Sequence, residues 1–399
     1  MKQKSHKNPA KQIIIIGDIE MGAGNLTDDF ISDKALSELI RSLAKKKHPV
    51  DLILNGDTFD FLKCPYLNSE TQTLVYPRHI TAGVSLGKLK LIYEAHKRVF
   101  SALSVFVASP QHHLYFIIGN HDHDLFFPEV KETLRRLLDS EKGYENIHFP
   151  GLHYHHHNVW VEHGQQYDFL CQVNFRNLFV NYKGESLLNF PWMAFGLISQ
   201  FMDMKEEHPF LERIFPRQLM FSLHRMVLHK ISLRSIGYFL KSVLYFPFRY
   251  YSDPTYSFPS WLFGEFYRRI RHNHWDIDEI IDVFKKKAPR TQAKIFVLGH
   301  IHRKHIDERK KQTIIHPGSW RDEYILNAEK RTLIPKKKHY VQITLQSEKD
   351  DEPSYQVIEY PLERSVFLFD EVRKKELEYI YLAAKEEGFS LQKFKTTSL

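Results

Sequence analysis

Leu52-Ile53-Leu54-Asn55-Gly56-Asp57-Thr58-Phe59-Asp60 runs from an apolar strand pattern into two carboxylates placed just after a glycine. Four other stretches are built the same way. Ile13 to Ile16 leads into Gly17-Asp18-Ile19-Glu20, and Tyr115 to Ile118 into Gly119-Asn120-His121-Asp122. Val159 to Val161 leads into Glu162-His163-Gly164, and Ile295 to Leu298 into Gly299-His300-Ile301-His302. Ligands of α/β sheets bind outside the strand ends. Acids, an amide and imidazoles gathered there form a donor set for divalent metals. Each stretch alone has a plainer reading: Asp57 as a strand-end or helix-cap residue, Asn120-His121-Asp122 as a turn, His163 as a structural histidine. Five together predict a metal site.

Composition sets the bounds. The chain has 399 residues, 43% hydrophobic and 26% charged, which is ordinary for a protein with a sizeable core. Aromatic residues are abundant, with 30 Phe and 20 Tyr. The net charge of +8 favours an anionic partner: a phosphorylated substrate, nucleic acid or an acidic membrane surface. Cys64 and Cys171 are the only cysteines, too few for a disulfide framework or a cysteine zinc site. The start of the chain lacks a signal-type pattern, and no run of about 18 apolar residues exists, so a cytoplasmic location is the expectation.

Along the chain, residues 1–11 read as a disordered tail and residues 12–399 as one domain. From 12 to 163 apolar strands alternate with helical segments at Asp33 to Lys47, Leu86 to Leu103 and Glu129 to Leu138, which predicts a layered α/β core. Between about 170 and 290 aromatic and basic residues dominate, interrupted by Pro191, Pro209, Pro216, Pro247 and Pro259. This predicts short helices forming an insertion or cap near the site mouth. Strand patterns return at Lys294 to Gly299, Gln312 to His316, Tyr340 to Leu345 and Tyr355 to Tyr360, the last two as antiparallel strands closing a second sheet. Val366 to Ala384 reads as a terminal helix. His155-His156-His157 reads as part of a hairpin rather than a chelating cluster. Met21-Gly22-Ala23-Gly24-Asn25 reads either as a loop approaching a ligand or as a flexible connection.

The ordered set Gly56-Asp57 with Asp60, Gly119 to Asp122, His163-Gly164 and Gly299 to His302 resembles the calcineurin-like metallophosphoesterase family. One departure is Glu20, where that pattern has histidine. The resemblance spans residues 13–320 apart from the aromatic insertion. It implies a four-layer α/β/β/α sandwich and two divalent metals bridged by Asp57. It further implies that Asp18, His302 and the replacement ligand Glu20 hold the first metal, and that Asn120, His163 and His300 hold the second. His121 matches the catalytic histidine, and Asp60 and Asp122 match supporting residues.

The donor types agree with that reading. A carboxylate can serve two cations, one per oxygen, and paired metals clamp a phosphoryl group while lowering the pKa of bound water. Mixed Asn, Asp and His donors suit manganese, iron or zinc, and Glu20 tilts the choice towards manganese. The expected reaction is hydrolysis of a phosphate ester or pyrophosphate bond by a metal-bridging hydroxide, with His121 serving the leaving oxygen. Arg78 and Arg321 are candidates for holding phosphate. The insertion resembles in position the lid of the UDP-2,3-diacylglucosamine pyrophosphohydrolase branch, which points to a small phosphorylated or lipid- or nucleotide-linked substrate and to peripheral membrane contact. This chain departs from that branch at His121, where the branch has arginine. The alternatives are a nuclease of the same fold, which lacks support from any nucleic-acid module, and a non-catalytic scaffold of that fold. Oligomeric state has no signal in the sequence.

Overall fold

The isoleucine run at 13–16 has side chains buried on both faces, as strands packed inside a layered α/β protein do. In the computed structural model, which describes residues 10–68, 71–138, 143–272, 278–287, 291–347 and 352–392, this run is β1 (Lys11–Ile16). It lies inside a six-stranded sheet with β2 (Val50–Asn55), β3 (His112–Ile117), β4 (Ile147–Gly151) and two later strands. A second, five-stranded sheet holds β5 (His153–His156), β6 (Val159–Glu162), β7 (Ile295–Leu298), β8 (Lys304–Glu308) and β9 (Thr313–Pro317), in the order β8-β9-β7-β6-β5. The first sheet is completed by β10 (His339–Leu345) and β11 (Ser354–Glu359), giving β11-β10-β1-β2-β3-β4.

The two sheets face each other. Ile13, Ile15, Ile53 and Ile117 from the first meet Val159, Val161, Ile295, Val297 and Ile315 from the second. On the far side of the first sheet, Ile14, Ile16, Leu52 and Leu54 pack under α1 (Asp33–Ala44), α2 (Ala82–Ala95), α3 (Lys97–Val107) and α4 (Pro128–Leu138). The alternation along each strand therefore divides its side chains between two cores. Phe296, Leu298 and Ile314 cover the far side of the second sheet together with Phe284. The four-layer α/β/β/α sandwich is thereby complete.

Between the sheets' strands in sequence, the insertion carries a hairpin (Phe179–Tyr182 with Glu185–Leu188) and the helices α5 (Trp192–Gln200), α6 (Met202–Glu207), α7 (Arg217–Leu223), α8 (Arg225–Leu244), α9 (Phe246–Tyr250) and α10 (Trp261–His272). Trp192, Tyr238, Phe246 and Leu262 give it a small core of its own. Arg78 joins it to the main body. Its Nε donates to Thr255 Oγ1 (3.0 Å), and its guanidinium lies 4.1 Å from the Phe195 ring centre and 3.9 Å from that of Tyr256. Arg78 thus ties the cap down, and the phosphate-holding expectation does not fit it.

Several boundaries differ from the sequence expectation. β10 pairs antiparallel with β1 rather than closing the second sheet. Its Val341, Ile343 and Leu345 continue the apolar layer that Ile13 and Ile15 begin. α11 (Asp278–Lys287), expected as part of the cap, supplies Phe284 to the sandwich's outer layer. The helix expected over Leu86 to Leu103 breaks at His96, whose ring is drawn between Asp33 (2.7 Å) and Asp28 (3.0 Å). The terminal helix is split into α12 (Phe369–Lys374) and α13 (Glu376–Glu386). It follows a small sheet of Ile214–Phe215, Tyr324–Asn327, Thr332–Pro335 and Phe367–Leu368 that the sequence did not announce. The tail expected at 1–11 lies outside the described residues up to residue 9, and Lys11 is already in β1.

Candidate metal centre

The sheet edges formed by the ends of β1, β2, β3, β6 and β7 bring the five polar stretches together. His163, after β6, is the hub. Its Nδ1 faces the carbonyl oxygen of Asn55 at 3.0 Å, which leaves Nε2 pointing 3.1 Å from Asp57 Oδ2 and 3.2 Å from Asn120 Oδ1. Asp57, His163 and His300 offer donor atoms all within 4.8 Å of one another. Ligands about 2.1 Å from one ion at right angles stand about 3 Å apart. The donor spacing and the mixed oxygen and nitrogen types therefore fit a divalent metal.

On the other side of Asp57, His302 Nε2 lies 3.3 Å from Asp18 Oδ1 and 3.6 Å from Glu20 Oε1. Both Asp18 oxygens accept from the backbone N–H of His300, at 3.0 and 3.2 Å. Glu20 differs from the other donors. Its Oε1 accepts from Arg321 Nη1 (3.0 Å) and its Oε2 from Lys63 Nζ (2.8 Å). Burial pushes its pKa up, but Arg321, His121, Lys63 and His302 outweigh that and hold it at about 2. Arg321 is 3% exposed and also donates to Asp29 at 2.7 Å, so it balances internal carboxylates and is not free to receive phosphate as expected.

His300 and His302 are aimed by partners the sequence reading did not single out. Asp168 Oδ2 accepts from His300 Nε2 at 3.1 Å, and Glu323 lies 2.8 Å from His302 Nδ1. Carboxylate partners of this kind fix ring orientation and raise ligand basicity. Neither carries a local signal: Asp168 follows a short turn and Glu323 comes from a loop far along the chain. Behind Glu20 the ionic network extends through Lys205, which reaches Asp29 (2.6 Å) and Glu212 (2.8 Å), and Arg213, which reaches Asp322 (2.5 Å).

His121 sits beside this centre. Its backbone N–H donates to Asp57 Oδ1 (2.8 Å), and its ring Nδ1 faces Asp60 Oδ1 (2.8 Å). The second ring nitrogen is left for another partner. Burial lowers its pKa, but Glu20, Asp60 and Asp57 outweigh that and raise it to about 9. Asp122 fixes the loops instead of binding: Thr58 N and Gly119 N donate to its two oxygens. Burial, then the charge of Asp57, pushes Asp122 up to about 7.

The backbone is bent to make this convergence. Asp18 (φ 52°), Glu20 (56°), Asp57 (48°), His300 (70°) and His302 (53°) all occupy the left-handed region, which costs non-glycine residues on the order of 1–3 kcal/mol each. The adjoining glycines are required by closeness. A Cβ on Gly119 would lie 2.1 Å from Asp57 Oδ1, and one on Gly56 2.5 Å from His163 Cβ. Within the loop Met21 to Asn25, Met21 bridges to the Asp57–Asp60 loop, its N–H donating to Thr58 O (3.1 Å) and its carbonyl accepting from Asp60 N (2.8 Å), while Gly24 N donates to Asp28 Oδ2 (2.7 Å). Cys64 and Cys171 are free thiols.

No protein-family model and no curated protein matches the chain. Among solved structures it is similar to Vacuolar Protein Sorting 29 from Cryptosporidium parvum, at 10% identity and a TM-score of 0.26, over 89% of this chain and 100% of that one. It is also similar to a candidate 5'-nucleotidase from Staphylococcus aureus in complex with alpha-ketoglutarate, at 13% identity and a TM-score of 0.29, over 92% of this chain. The chain spans 58% of that nucleotidase's length. Likenesses of this degree carry no argument about chemistry, which rests on the side chains themselves.

Proposed function

We propose that the chain is a calcineurin-like metallophosphoesterase that hydrolyses a phosphate ester or pyrophosphate bond. One observation carries this reading. A histidine tethered by one nitrogen presents the other to an aspartate and an asparagine about one ligand-spacing away, and a second histidine, tethered by Asp60, stands next to them. Asn120, His163 and His300 would hold one ion, Asp18, Glu20 and His302 the other, with Asp57 between them. Divalent ions there would supply Lewis acidity and make water a nucleophile near neutral pH. His121, held at Nδ1 by Asp60, gives a proton from its other nitrogen to the leaving oxygen, a role typically worth about 10²–10⁴-fold. The cap's aromatic residues make a lipid- or nucleotide-linked phosphate the favoured substrate class, and the oxygen donor Glu20 makes manganese the favoured metal.

The ion pairs of Glu20 with Arg321 and Lys63 favour a second reading in which the first position is the weaker of the two and the chain retains one ion. The test is direct. Protein loaded with manganese is assayed on nitrophenyl phosphate mono- and diesters beside Asp57→Asn, with bound metal counted in both. Cleavage that disappears in Asp57→Asn supports the reading. Absence of cleavage with manganese, iron and zinc overturns it, and one ion per chain selects the second reading.

A further inference from the structure

α8 and α9 carry a surface that the fold leaves uncovered. In α8, Met226, Leu233, Ile236, Leu240 and Leu244 recur at three-, four- and seven-residue spacing, so they share one face, and Phe248 of α9 continues it. These six side chains are between 51% and 76% exposed. The opposite face of α8 is packed inward: Val227, Tyr238 and Ser242 are buried, and Tyr238 of the cap core donates its OH to the carbonyl oxygen of Trp192 (3.0 Å). The exposed stripe is therefore not slack in a loose helix; the helix is anchored with this face outward.

The charge around the stripe is one-sided. No acidic residue occurs between Glu212 and Asp253, while Arg217, Arg225, Lys230, Arg234, Lys241 and Arg249 do. Lys230 leans to Glu207 (2.6 Å) and Arg234 to the carbonyl of Gln200 (2.6 Å), but Arg225 and Lys241 stand exposed at the stripe's flanks. Tyr245, Tyr251, Trp261 and Tyr267, aromatic residues with a polar edge, are exposed in the same cap. A helix with an outward apolar face, basic flanks and neighbouring Tyr and Trp is built to lie in the plane of a lipid headgroup layer. Among the described residues no helix is long and apolar enough to cross a membrane.

We propose that the α8–α9 face docks on an anionic lipid bilayer, its stripe sunk among the acyl-chain boundary and Arg225 and Lys241 at the headgroup phosphates. The partner is a bilayer rather than an acidic protein because the apolar side chains stand outward along about 27 Å of α8 from Met226 to Leu244, between basic flanks and beside exposed Tyr and Trp, the composition of a helix that lies in a headgroup layer. This docking goes beyond the proposed hydrolysis and does not depend on it.

Co-sedimentation with vesicles tests it, using the full chain. The wild type is expected to bind mixed phosphatidylglycerol–phosphatidylcholine vesicles roughly tenfold more tightly than phosphatidylcholine alone. Leu240→Ser/Leu244→Ser/Phe248→Ser, checked for its fold by circular dichroism, should lose binding to both, and Lys241→Glu should lose the anionic preference. Equal binding to both vesicle types, or a triple variant that binds like the wild type, overturns the proposal. So does a solution dimer that the triple variant splits, since a second copy would then cover the face. Binding is read without turnover, so it can fail while hydrolysis stands, and hydrolysis can fail while binding stands.

Discussion

The two sides of Asp57 are made from similar strand-end loops and treat charge differently. On one side, Asn120, His163 and His300 supply an amide and two imidazoles, faced by the carboxylates of Asp57 and Asp168. On the other, Asp18, Glu20 and His302 sit against Arg321, Lys63 and Glu323. On the first side, among the described residues, no lysine or arginine is paired with the donors, so a metal there would have no such cation to displace. The ion-paired side already has its carboxylate neutralised from within, so a metal there competes with a guanidinium and an ammonium. What the difference teaches is that a carboxylate at position 20 is not a local feature: it comes with an internal cation cluster that a buried carboxylate needs.

The comparison can be broken in steps. His121→Ala serves both sides equally and should lower turnover about 10²–10⁴-fold with the bound metal count unchanged, as steady-state kinetics and metal analysis would show. Loss of metal along with turnover would place His121 among the ligands. Arg321→Gln leaves Glu20 and Asp29 short of a cation and should cost about 3–5 kcal/mol in urea unfolding, less where Lys63 and Lys205 compensate. The same variant should raise affinity on the Glu20 side alone. Asp168→Asn and Glu323→Gln should each weaken metal binding about 10–100-fold, the first on the His300 side and the second on the His302 side. Calorimetric titration resolves which of two binding steps moves, and movement of the same step in both would erase the distinction.

The smallest effect lies away from the centre. Burial lowers the pKa of His96, but Asp33 and Asp28 outweigh it and raise it to about 10. A group raised in the folded state contributes stability that is fully present below its unfolded value near 6.5 and is lost as pH rises through the folded one. Unfolding free energy should therefore decline between pH 7 and 10, and His96→Leu should flatten that decline while lowering stability at pH 7. An unchanged slope in the variant would assign the pH dependence elsewhere.

Much of this architecture was legible because period and punctuation agree. Ile13 to Ile16, Leu52 to Leu54 and Ile295 to Leu298 are apolar throughout, as strands buried on both faces must be, and a glycine stands just before the first donor after each: Gly17, Gly56 and Gly299. That Asp18, Asp57, Asn120, His163, His300 and His302 lie near one another was legible because each falls just past the end of such a strand. What could not be read depends on separation in the chain. Arg321 and Lys63 look like any surface cation until the fold sets them on Glu20. Asp168 and Glu323 lack a motif because a supporting carboxylate needs only to arrive from some direction. β10 read as belonging to the second sheet because its alternation identifies a strand and not its neighbour, and the break at His96 reflects two distant aspartates.

The most direct test of a shared Asp57 is an anomalous-scattering map of crystals soaked in manganese. The account predicts a peak touching Asp57, Asn120, His163 and His300, with a second, lower-occupancy peak between Asp57 and His302. A map with no peak in reach of Asp57, or with manganese bound only at another cluster, would contradict it.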